Sequence, residues 1–268
     1  MSTARISPSA TAISATFRHI SLTPPSRRAF LITLLPPLVI GRRARNYAPK
    51  IYSKASEPLE VCAKESLTTP NKLGDCPFTQ RVLLTLEEKN LPYDLKLVDL
   101  RNKPEWFLNV SPEGKVPLIK LEEKWIPDSD VITQALEEKF PEPSLATPPE
   151  KAAVGSKIFS TFIGFLKSKD TSDGTEQALL DQLTDFNSYL GKNGPFINGE
   201  VISAADLSLA PKLYHLEIAL GHYKKWSIPD SLTYVKSYMK TIFSRESFIK
   251  TRAIVEDVIE GWRPKVEG

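Results

Sequence analysis

The amino-acid sequence predicts a mixed α/β lobe followed by an all-α lobe, and two observations lead to this fold class. Across residues 57–140 the apolar positions switch between the two-residue period of strands and the longer period of helices. Across residues 150–268 only the helical period recurs. The stretch PEPSLATPP between them, residues 141–149, has four prolines and is typical of a linker. Two domains joined by this linker are therefore predicted.

A segment without acidic residues precedes the first domain. Residues 1–56 contain seven Arg, two Lys and many Ser, Thr and Ala, but no Asp or Glu. This composition is typical of an organelle transit peptide, largely disordered and removed from the mature protein. A signal peptide or anchor built on residues 29–41 is the alternative. That run has thirteen residues interrupted by Pro36 and Pro37, whereas a spanning helix needs about 20 apolar residues.

The composition of the remaining chain excludes several classes of function. Loss of the nine basic residues of 1–56 changes the formal charge from +3 to −6, which argues against a nucleic-acid partner. The two cysteines, Cys62 and Cys76, are too few for a disulfide framework and fit a reducing compartment. Three histidines, with no CxxC or HExxH motif, argue against a metal site. There is also no glycine-rich phosphate loop.

The elements predicted in the first domain form a small mixed sheet of the thioredoxin type. Their order is strand, helix, strand, short helix, two hairpin strands and helix. The hairpin turns at the polar pair Glu122 and Glu123. The last helix starts behind a Ser or Asp cap. In chain order, the predicted segments are 59–64, 76–90, 93–99, 104–108, 117–121, 124–126 and 128–140.

The second domain is predicted to be a helical bundle. Ser203 stands three residues ahead of Asp206 before an apolar run, which is the spacing of a capping box with Asp in the Glu position. This pair is interpreted as the start of a buried helix and not as catalytic. The five helical segments are 155–168, 176–190, 203–220, 231–243 and 252–260.

Cys76 is the candidate nucleophile. Pro77 follows it, and because proline is tolerated at the first helical position, Cys76 falls at the N-cap of the helix. Free backbone N–H groups and the helix dipole favour an anion there, and the thiolate is the reactive form of cysteine. Lys64 adds a nearby positive charge, which Asp75 opposes. The alternative is a small apolar residue beginning a helix, but the polar context argues against burial.

Thr79 occupies the position of the resolving cysteine in a CxxC enzyme. A CxxT enzyme cannot close an internal disulfide at this site, so a second thiol has to come from solution. Cys62 does not replace it, because it lies on an alternating strand between Val61 and Ala63 and is predicted to be a half-buried structural thiol.

Eight stretches together carry a resemblance to a known family. The sequence resembles the plant dehydroascorbate reductases, a family of the glutathione transferase superfamily, over essentially the whole chain from Leu59. The acid-free leader makes it similar to the chloroplast forms. The stretches are KLGDCPFTQRVLLTLEEK, NKPEWF, SPEGKVP, KWIPDSDVITQALEEK, PFINGE, SAADLSLAPKLYHL, FSRESF and GWRPKV.

This resemblance implies a glutathione-dependent reduction of dehydroascorbate to ascorbate by a ping-pong mechanism. Cys76 would pass through a sulfenic acid and a mixed disulfide with glutathione. Glutathione would be a co-substrate, with no bound nicotinamide, flavin or metal. The resemblance also implies a monomer in the chloroplast stroma, without stable membrane association.

The resemblance further implies a glutathione site in the first domain. Val116 before a cis proline, Pro117, would offer its backbone N–H and C=O to the tripeptide. Asp128 and Ser129 would hold the γ-glutamyl end at a helix N-terminus, and Lys103 would meet the glycine carboxylate. Each has an ordinary alternative, as a strand-initiating proline, a plain N-cap or a solvated lysine.

A dehydroascorbate site is implied beside the nucleophile. Lys64 and Asp75 are assigned to both substrates, and His215 and Trp262 would reach over from the helical domain. His215 lies in an apolar helix and Trp262 near the C-terminus, so a satisfied core histidine and simple packing are the alternatives.

Three other functions remain open. A conventional glutathione transferase holds the glutathione thiolate with a Tyr or Ser hydroxyl, whereas Cys76 would form a mixed disulfide. A glutaredoxin-like thiol transferase would use the same residues. A membrane-inserting, channel-like relative is the non-enzymatic alternative, but no apolar run after residue 56 approaches the length of a membrane span.

Overall fold

A computed structural model describes residues 57–268 of the chain. The predicted transit peptide and the apolar run 29–41 lie outside the described residues. Residues 57–139 supply all the strands of one sheet and three helices, and the elements after residue 148 are helical. The limits of the two domains and of the linker stay a prediction.

The first half contains the predicted mixed four-stranded sheet. Its order is β2-β1-β3-β4, with β1 and β2 parallel and the other neighbours antiparallel. The predicted hairpin is confirmed, since Glu122 and Glu123 both adopt the positive φ that a tight two-residue turn requires. The strands are β1 Leu59–Lys64, β2 Tyr93–Val98, β3 Leu118–Leu121 and β4 Lys124–Pro127.

Helices cover both faces of this sheet. The helices are α1 Pro77–Glu88, α2 Glu105–Val110 and α3 Ser129–Lys139. Apolar side chains of α1 and α3 pack with Val61 and Ile119 on one face. Phe107 of α2 packs with Cys62 on the other. Cys62 is therefore fully buried, and the prediction of a half-buried thiol is wrong because α2 closes that face.

The second half is helical throughout, after a short 3-10 turn at Pro149–Lys151. Two expectations need correction. Helix α8 was not predicted, and the last helix runs beyond the predicted 252–260, taking Pro264 into its final turn. The helices are α4 Ile158–Lys167, α5 Thr175–Asn193, α6 Ala204–Lys224, α7 Thr233–Phe243, α8 Glu246–Thr251 and α9 Val255–Val266.

The predicted capping box starts α6. Asp206 is fully buried, and its Oδ2 accepts hydrogen bonds from the backbone N and the hydroxyl of Ser203 at 2.9 and 2.8 Å. Its Oδ1 accepts from Ile197 N and the Tyr238 hydroxyl at 2.9 and 3.0 Å. Burial raises the pKa of Asp206 despite these four donors. The carboxylate joins three segments of the bundle, which supports the structural interpretation.

Polar contacts join the two halves at the end of α1. Arg245 donates from Nε and a terminal nitrogen to the two oxygens of Glu88, at 2.8 and 2.6 Å, and the Ser247 hydroxyl donates to the same carboxylate at 2.5 Å. The buried Lys89 ammonium donates to the carbonyls of Phe140 and Pro143. The contacts of Glu88 hold the start of α8 against α1, and those of Lys89 hold the end of α1 against the segment that follows α3. Between residues 57 and 268, none of the helices has the length and apolar character to cross a bilayer.

Candidate active site

Cys76 lies at the N-cap of α1, as its sequence context predicts. Its backbone is extended, with φ −79° and ψ 111°, and its Sγ accepts a hydrogen bond from Thr79 N at 3.4 Å. The thiol is partly exposed. One helix-start N–H group is thus already directed at the sulfur, an arrangement that stabilises a thiolate.

Cys62 has the opposite environment. It is fully buried, and burial raises the pKa of its thiol to about 11. Both cysteines are free thiols. A buried thiol that resists ionisation is a poor nucleophile, so Cys76 is the better candidate of the two cysteines.

Lys64 and Asp75 form an ion pair next to Cys76. The Lys64 ammonium lies 2.5 Å from Asp75 Oδ1, and their side chains are 18% and 8% exposed. The positive charge of Lys64 is therefore shared with the carboxylate and is not directed at the sulfur alone. Two residues implied for substrate binding come together here.

Helix α9 approaches this ion pair through Gly261. A Cβ atom at position 261 would lie 1.7 Å from Asp75 Oδ2, so only glycine lets the helix pass. Sequence reasoning missed this residue. The glycine itself was a signal in the sequence. Glycine inside a helix destabilises the fold by up to about 1 kcal/mol relative to alanine, so its presence indicates a close packing contact.

His215 and Trp262 are buried and bonded to each other. Trp262 Nε1 donates to His215 Nδ1 at 3.0 Å, so the neutral imidazole carries its proton on Nε2. The two side chains are 2% and 4% exposed. Burial, with the charges of Lys64 and Lys265, lowers the pKa of His215 to about 3. His215 is thus a neutral group near Lys64 rather than a second cation.

An aromatic row runs from the start of α1 to α9. The Phe78 and Phe159 rings meet edge to face with centroids 6.1 Å apart, and the Phe159 and Trp262 centroids are 6.4 Å apart. Phe78 remains 41% exposed. Phe159 was not identified from the sequence, because an aromatic residue in an apolar helix has no distinguishing pattern.

A groove of about 450 Å³ lies along the sheet side of Phe78. Four residues implied for glutathione line it, namely Val116, Pro117, Asp128 and Ser129. The Val116–Pro117 peptide bond is cis. The groove thus brings the two halves of the implied glutathione site together, one at the start of β3 and the other at the start of α3.

Asp128 and Ser129 begin α3 at the end of this groove. Asp128 Oδ1 accepts from Asp130 N at 2.8 Å and Val131 N at 3.3 Å, as an N-cap does. The Asp128 backbone has φ 70°, a conformation that residues other than glycine rarely adopt and that clusters at functional sites. Ser129 is buried, and a terminal nitrogen of Arg81 lies 3.5 Å from its hydroxyl.

Lys103 lies beside the groove and not among its lining residues. Its side chain crosses Gly114, where a Cβ would lie 2.7 Å from Lys103 Nζ. Gly114 stands between Glu113 and Lys115, which do line the groove. Lys103 is exposed, and its ammonium lies next to the segment that borders the groove.

The loop that leads to Cys76 is held by α9 as well. Asp257 Oδ1 accepts from Leu67 N at 3.1 Å, Thr68 N at 3.0 Å and the Thr68 hydroxyl at 2.8 Å. Asp257 is fully buried, and sequence reasoning did not identify it. Among residues 57–268, no group of three or more His, Cys, Asp or Glu side chains is arranged to hold a metal.

The chain is similar to curated plant proteins over most of its length. Residues 75–139 match the model of the glutathione S-transferase N-terminal domain. A probable glutathione S-transferase DHAR2, chloroplastic, of Oryza sativa subsp. japonica is 75% identical over 232 residues, 87% of this chain and 85% of the relative. Glutathione S-transferase DHAR3, chloroplastic, of Arabidopsis thaliana is 77% identical over 214 residues, 80% of this chain and 83% of the relative.

A solved structure gives the same result. The crystal structure of Chlamydomonas reinhardtii dehydroascorbate reductase superposes with a TM-score of 0.70 at 37% identity, covering 78% of this chain and 99% of that one. The fold and the identities therefore agree with the resemblance carried by the motifs. The chain belongs to the plant dehydroascorbate reductase family of the glutathione transferase superfamily.

Proposed function

We propose that the protein reduces dehydroascorbate to ascorbate at the expense of two glutathione molecules, through Cys76 alone. The observation that carries this proposal is the contrast between the two cysteines of the chain. Cys76 is partly exposed at a helix start with Thr79 N directed at its sulfur, whereas Cys62 is buried with a raised pKa. The names of the relatives support the substrate pair.

The first half-reaction is a two-electron reduction. The Cys76 thiolate gives two electrons to dehydroascorbate, the hydroxyl of one water stays on the sulfur, and the remaining proton of that water goes to the ring, which becomes the ascorbate monoanion. Ascorbate leaves, and Cys76 remains as a sulfenic acid. The start of α1 favours the thiolate that begins this step.

The second half-reaction returns the cysteine to its thiol with two glutathiones. The first condenses with the sulfenic acid, releasing water and forming a mixed disulfide. The second attacks that disulfide, and oxidised glutathione leaves with Cys76 restored. Thr79 in place of a second cysteine fits this external resolution, because no partner thiol stands one turn away.

The groove beside Phe78 takes the first glutathione in this proposal. The backbone of Val116 pairs with the tripeptide, while Ser129 and the α3 N-terminus receive the γ-glutamyl carboxylate. Asp128 meets the amino group, and Lys103 turns from Gly114 to the glycine carboxylate.

Dehydroascorbate takes the opposite side of Cys76. Lys64 and Asp75 offer a donor and an acceptor to its hydroxyl and carbonyl groups, and Gly261 keeps α9 close above them. His215 and Trp262 are buried and bonded together, so they contribute a neutral wall, with His215 Nε2–H as the donor left available.

A matched pair of cysteine variants tests the proposal. Cys76→Ser in the full chain is expected to abolish glutathione-dependent ascorbate formation, because the other cysteine of the chain, Cys62, is fully buried with a raised pKa. Cys62→Ser is expected to keep most of the activity, because Cys62 packs beneath α2 and takes no part in the cycle. The measurement is ascorbate absorbance with glutathione and dehydroascorbate as substrates.

A second test of the proposed function measures the covalent state of Cys76. Wild-type protein treated with dehydroascorbate alone should carry one oxygen on Cys76, and a glutathione adduct once glutathione is added, as seen by mass spectrometry. A Cys62–Cys76 disulfide as the main product, or equal loss of activity in both serine variants, would show that an internal pair closes the cycle.

We also propose that the protein works in the chloroplast stroma as a monomer. Two relatives are named chloroplastic, and the acid-free composition of residues 1–56 fits a transit peptide. Glutathione is a co-substrate in this proposal, and the chemistry needs no bound cofactor or metal.

A further inference from the structure

Lys212 on α6 is a cation without a carboxylate partner in the part of the chain that the structure describes. Its ammonium donates to the Ser208 hydroxyl at 3.1 Å. It also lies 6.0 Å from the Phe78 ring centroid and 5.7 Å from that of Phe159. Two aromatic faces and one hydroxyl are a weak substitute for the water or carboxylate that an ammonium usually keeps.

The surroundings of Lys212 leave its ammonium poorly stabilised in the absence of an anion. Burial lowers its pKa, with the charge of Arg81 acting in the same direction and that of Asp130 against it. Arg81 is itself paired to Asp130 at 2.5 Å, so the three groups together leave one net positive charge. A desolvated, uncompensated cation gains most from an anionic ligand.

Phe78 connects this charge to the chemistry of Cys76. One side of Phe78 lines the groove that contains Val116 and Ser129, and the same ring contacts Phe159 and Lys212. Lys212 therefore stands on the helical side of the residue that borders the groove. Phe78 itself is two positions from the nucleophile.

The reaction cycle calls for one more anion-binding group. The groove receives one glutathione, whose two carboxylates are bound by Ser129 and Lys103. The second glutathione must reach the mixed disulfide while the first still fills the groove, and it brings two further carboxylates. Dehydroascorbate is uncharged, so the Lys212 ammonium has no substrate carboxylate to bind in the first half-reaction.

We propose that Lys212, with Phe78 and Phe159, forms a second thiol subsite that binds a carboxylate of the glutathione that resolves the mixed disulfide. This inference rests on the proposed function and assigns Lys212 as the residue that binds the second glutathione of the cycle. The incoming thiolate attacks the sulfur of the bound glutathione, a new S–S bond joins the two glutathiones, and the Cys76–sulfur bond breaks. The electron pair leaves on Cys76, and the proton of the incoming thiol passes to water.

The test begins from the Cys76–glutathione mixed disulfide, formed on the full chain with oxidised glutathione. Its reduction is followed in a single turnover by mass spectrometry with either of two thiols, glutathione or uncharged 2-mercaptoethanol. In Lys212→Met the rate with glutathione should fall about tenfold, as expected for one lost charge-assisted contact. The rate with 2-mercaptoethanol should stay unchanged.

Three controls separate a binding role from a structural one. Lys212→Arg keeps the charge and should restore the preference for glutathione. Lys167→Met removes an exposed charge at the far end of α4 and should leave both rates unchanged. In wild type the preference for glutathione should shrink as salt is added, because screening weakens the attraction.

Equal slowing with both thiols would overturn the proposal, since it would indicate damage to the site and not loss of a carboxylate contact. An unchanged glutathione rate in Lys212→Met would overturn it too. The assay uses no dehydroascorbate, so a failure of ascorbate formation in the wild-type protein would count against the proposed function and not against this subsite.

Discussion

His215 is a buried histidine whose neighbours keep it neutral. It accepts a hydrogen bond from Trp262 on Nδ1, and its pKa is lowered to about 3 by burial first and by Lys64 and Lys265 next. The unfolded chain has no such restraint. Below an unfolded pKa of about 6.5 the unfolded state takes up a proton that the folded state refuses, so stability falls as the pH falls.

This difference predicts a pH-dependent free energy of unfolding. Between about pH 7 and pH 5, His215 alone should cost the folded state about 2 kcal/mol. His215→Gln keeps an oxygen for Trp262 and does not titrate, so its unfolding free energy in urea should fall less over the same interval. Equal losses in the two proteins would mean that His215 is protonated in the fold or exposed to water.

Residues with a local signature could be predicted from the sequence, and residues defined by distant contacts could not. Cys76 was identified because Pro77 places it at an N-cap. Gly261 carries a signal only as an odd residue in a helix, and the reason for it is a carboxylate at Asp75, far away in the chain. The mutual hydrogen bond of His215 and Trp262 has no sequence pattern at all.

At the scale of elements, α9 holds the loop that carries the chain from β1 to Cys76. Asp257 Oδ1 accepts from Leu67 N and from the N and hydroxyl of Thr68. One carboxylate of the last helix therefore binds two backbone N–H groups of the loop that precedes the reacting cysteine. Loss of that carboxylate leaves Leu67 N without this acceptor and leaves Thr68 N with only the Ser66 hydroxyl, 3.2 Å away.

Asp257→Ala is expected to loosen the loop and lower the turnover rate. The unfolding free energy should drop by about 3 kcal/mol, since three hydrogen bonds to one charged acceptor are lost. Hydrogen exchange at the amides of Leu67 and Thr68 should become faster. Glu256→Ala, an exposed acid one position earlier on α9, is the matched control and should change neither. Unaltered hydrogen exchange in Asp257→Ala would show that the Asp257 carboxylate does not hold this loop in place.

The elements themselves followed from periodicity wherever they were long. The strands, the hairpin and the long helices lie close to their predicted limits, because their apolar residues recur with the period of the element. Of the two six-residue helices, α2 was predicted near its observed position and α8 was missed. Helix α9 was predicted to end at Glu260, whereas it continues to Val266 with Pro264 in its last turn.

At the scale of the whole molecule, the pairing of the two halves could not be read from the sequence. Glu88 and Arg245 are 157 positions apart, and Glu88 is the last residue of an ordinary amphipathic helix.

The distribution of charge between the leader and the rest of the chain, in contrast, can be read directly from the sequence. Residues 1–56 carry nine basic residues and no acidic ones, and the rest of the chain has a formal charge of −6.

This division leads to a prediction about location. A fluorescent protein fused behind residues 1–56 should accumulate in plastids of plant cells, because the basic, Ser-rich segment acts as an import signal. A fusion that begins at residue 57 is the control and should remain outside plastids. Cytosolic or reticular fluorescence from the first fusion would remove the transit interpretation.

The contact between Gly261 and Asp75 also provides a way to sort related sequences. While Lys64 holds the Asp75 carboxylate in its present position, a side chain at position 261 does not fit at this helix spacing, because the first added carbon would overlap an oxygen. Homologues that keep the aspartate should therefore keep the glycine, and those that lose one should lose the constraint on the other. Positions 75 and 261 should therefore vary together among homologues, and one with a bulky residue at 261 should have a shifted last helix, a different residue at 75, or an Asp75 carboxylate turned away from Lys64.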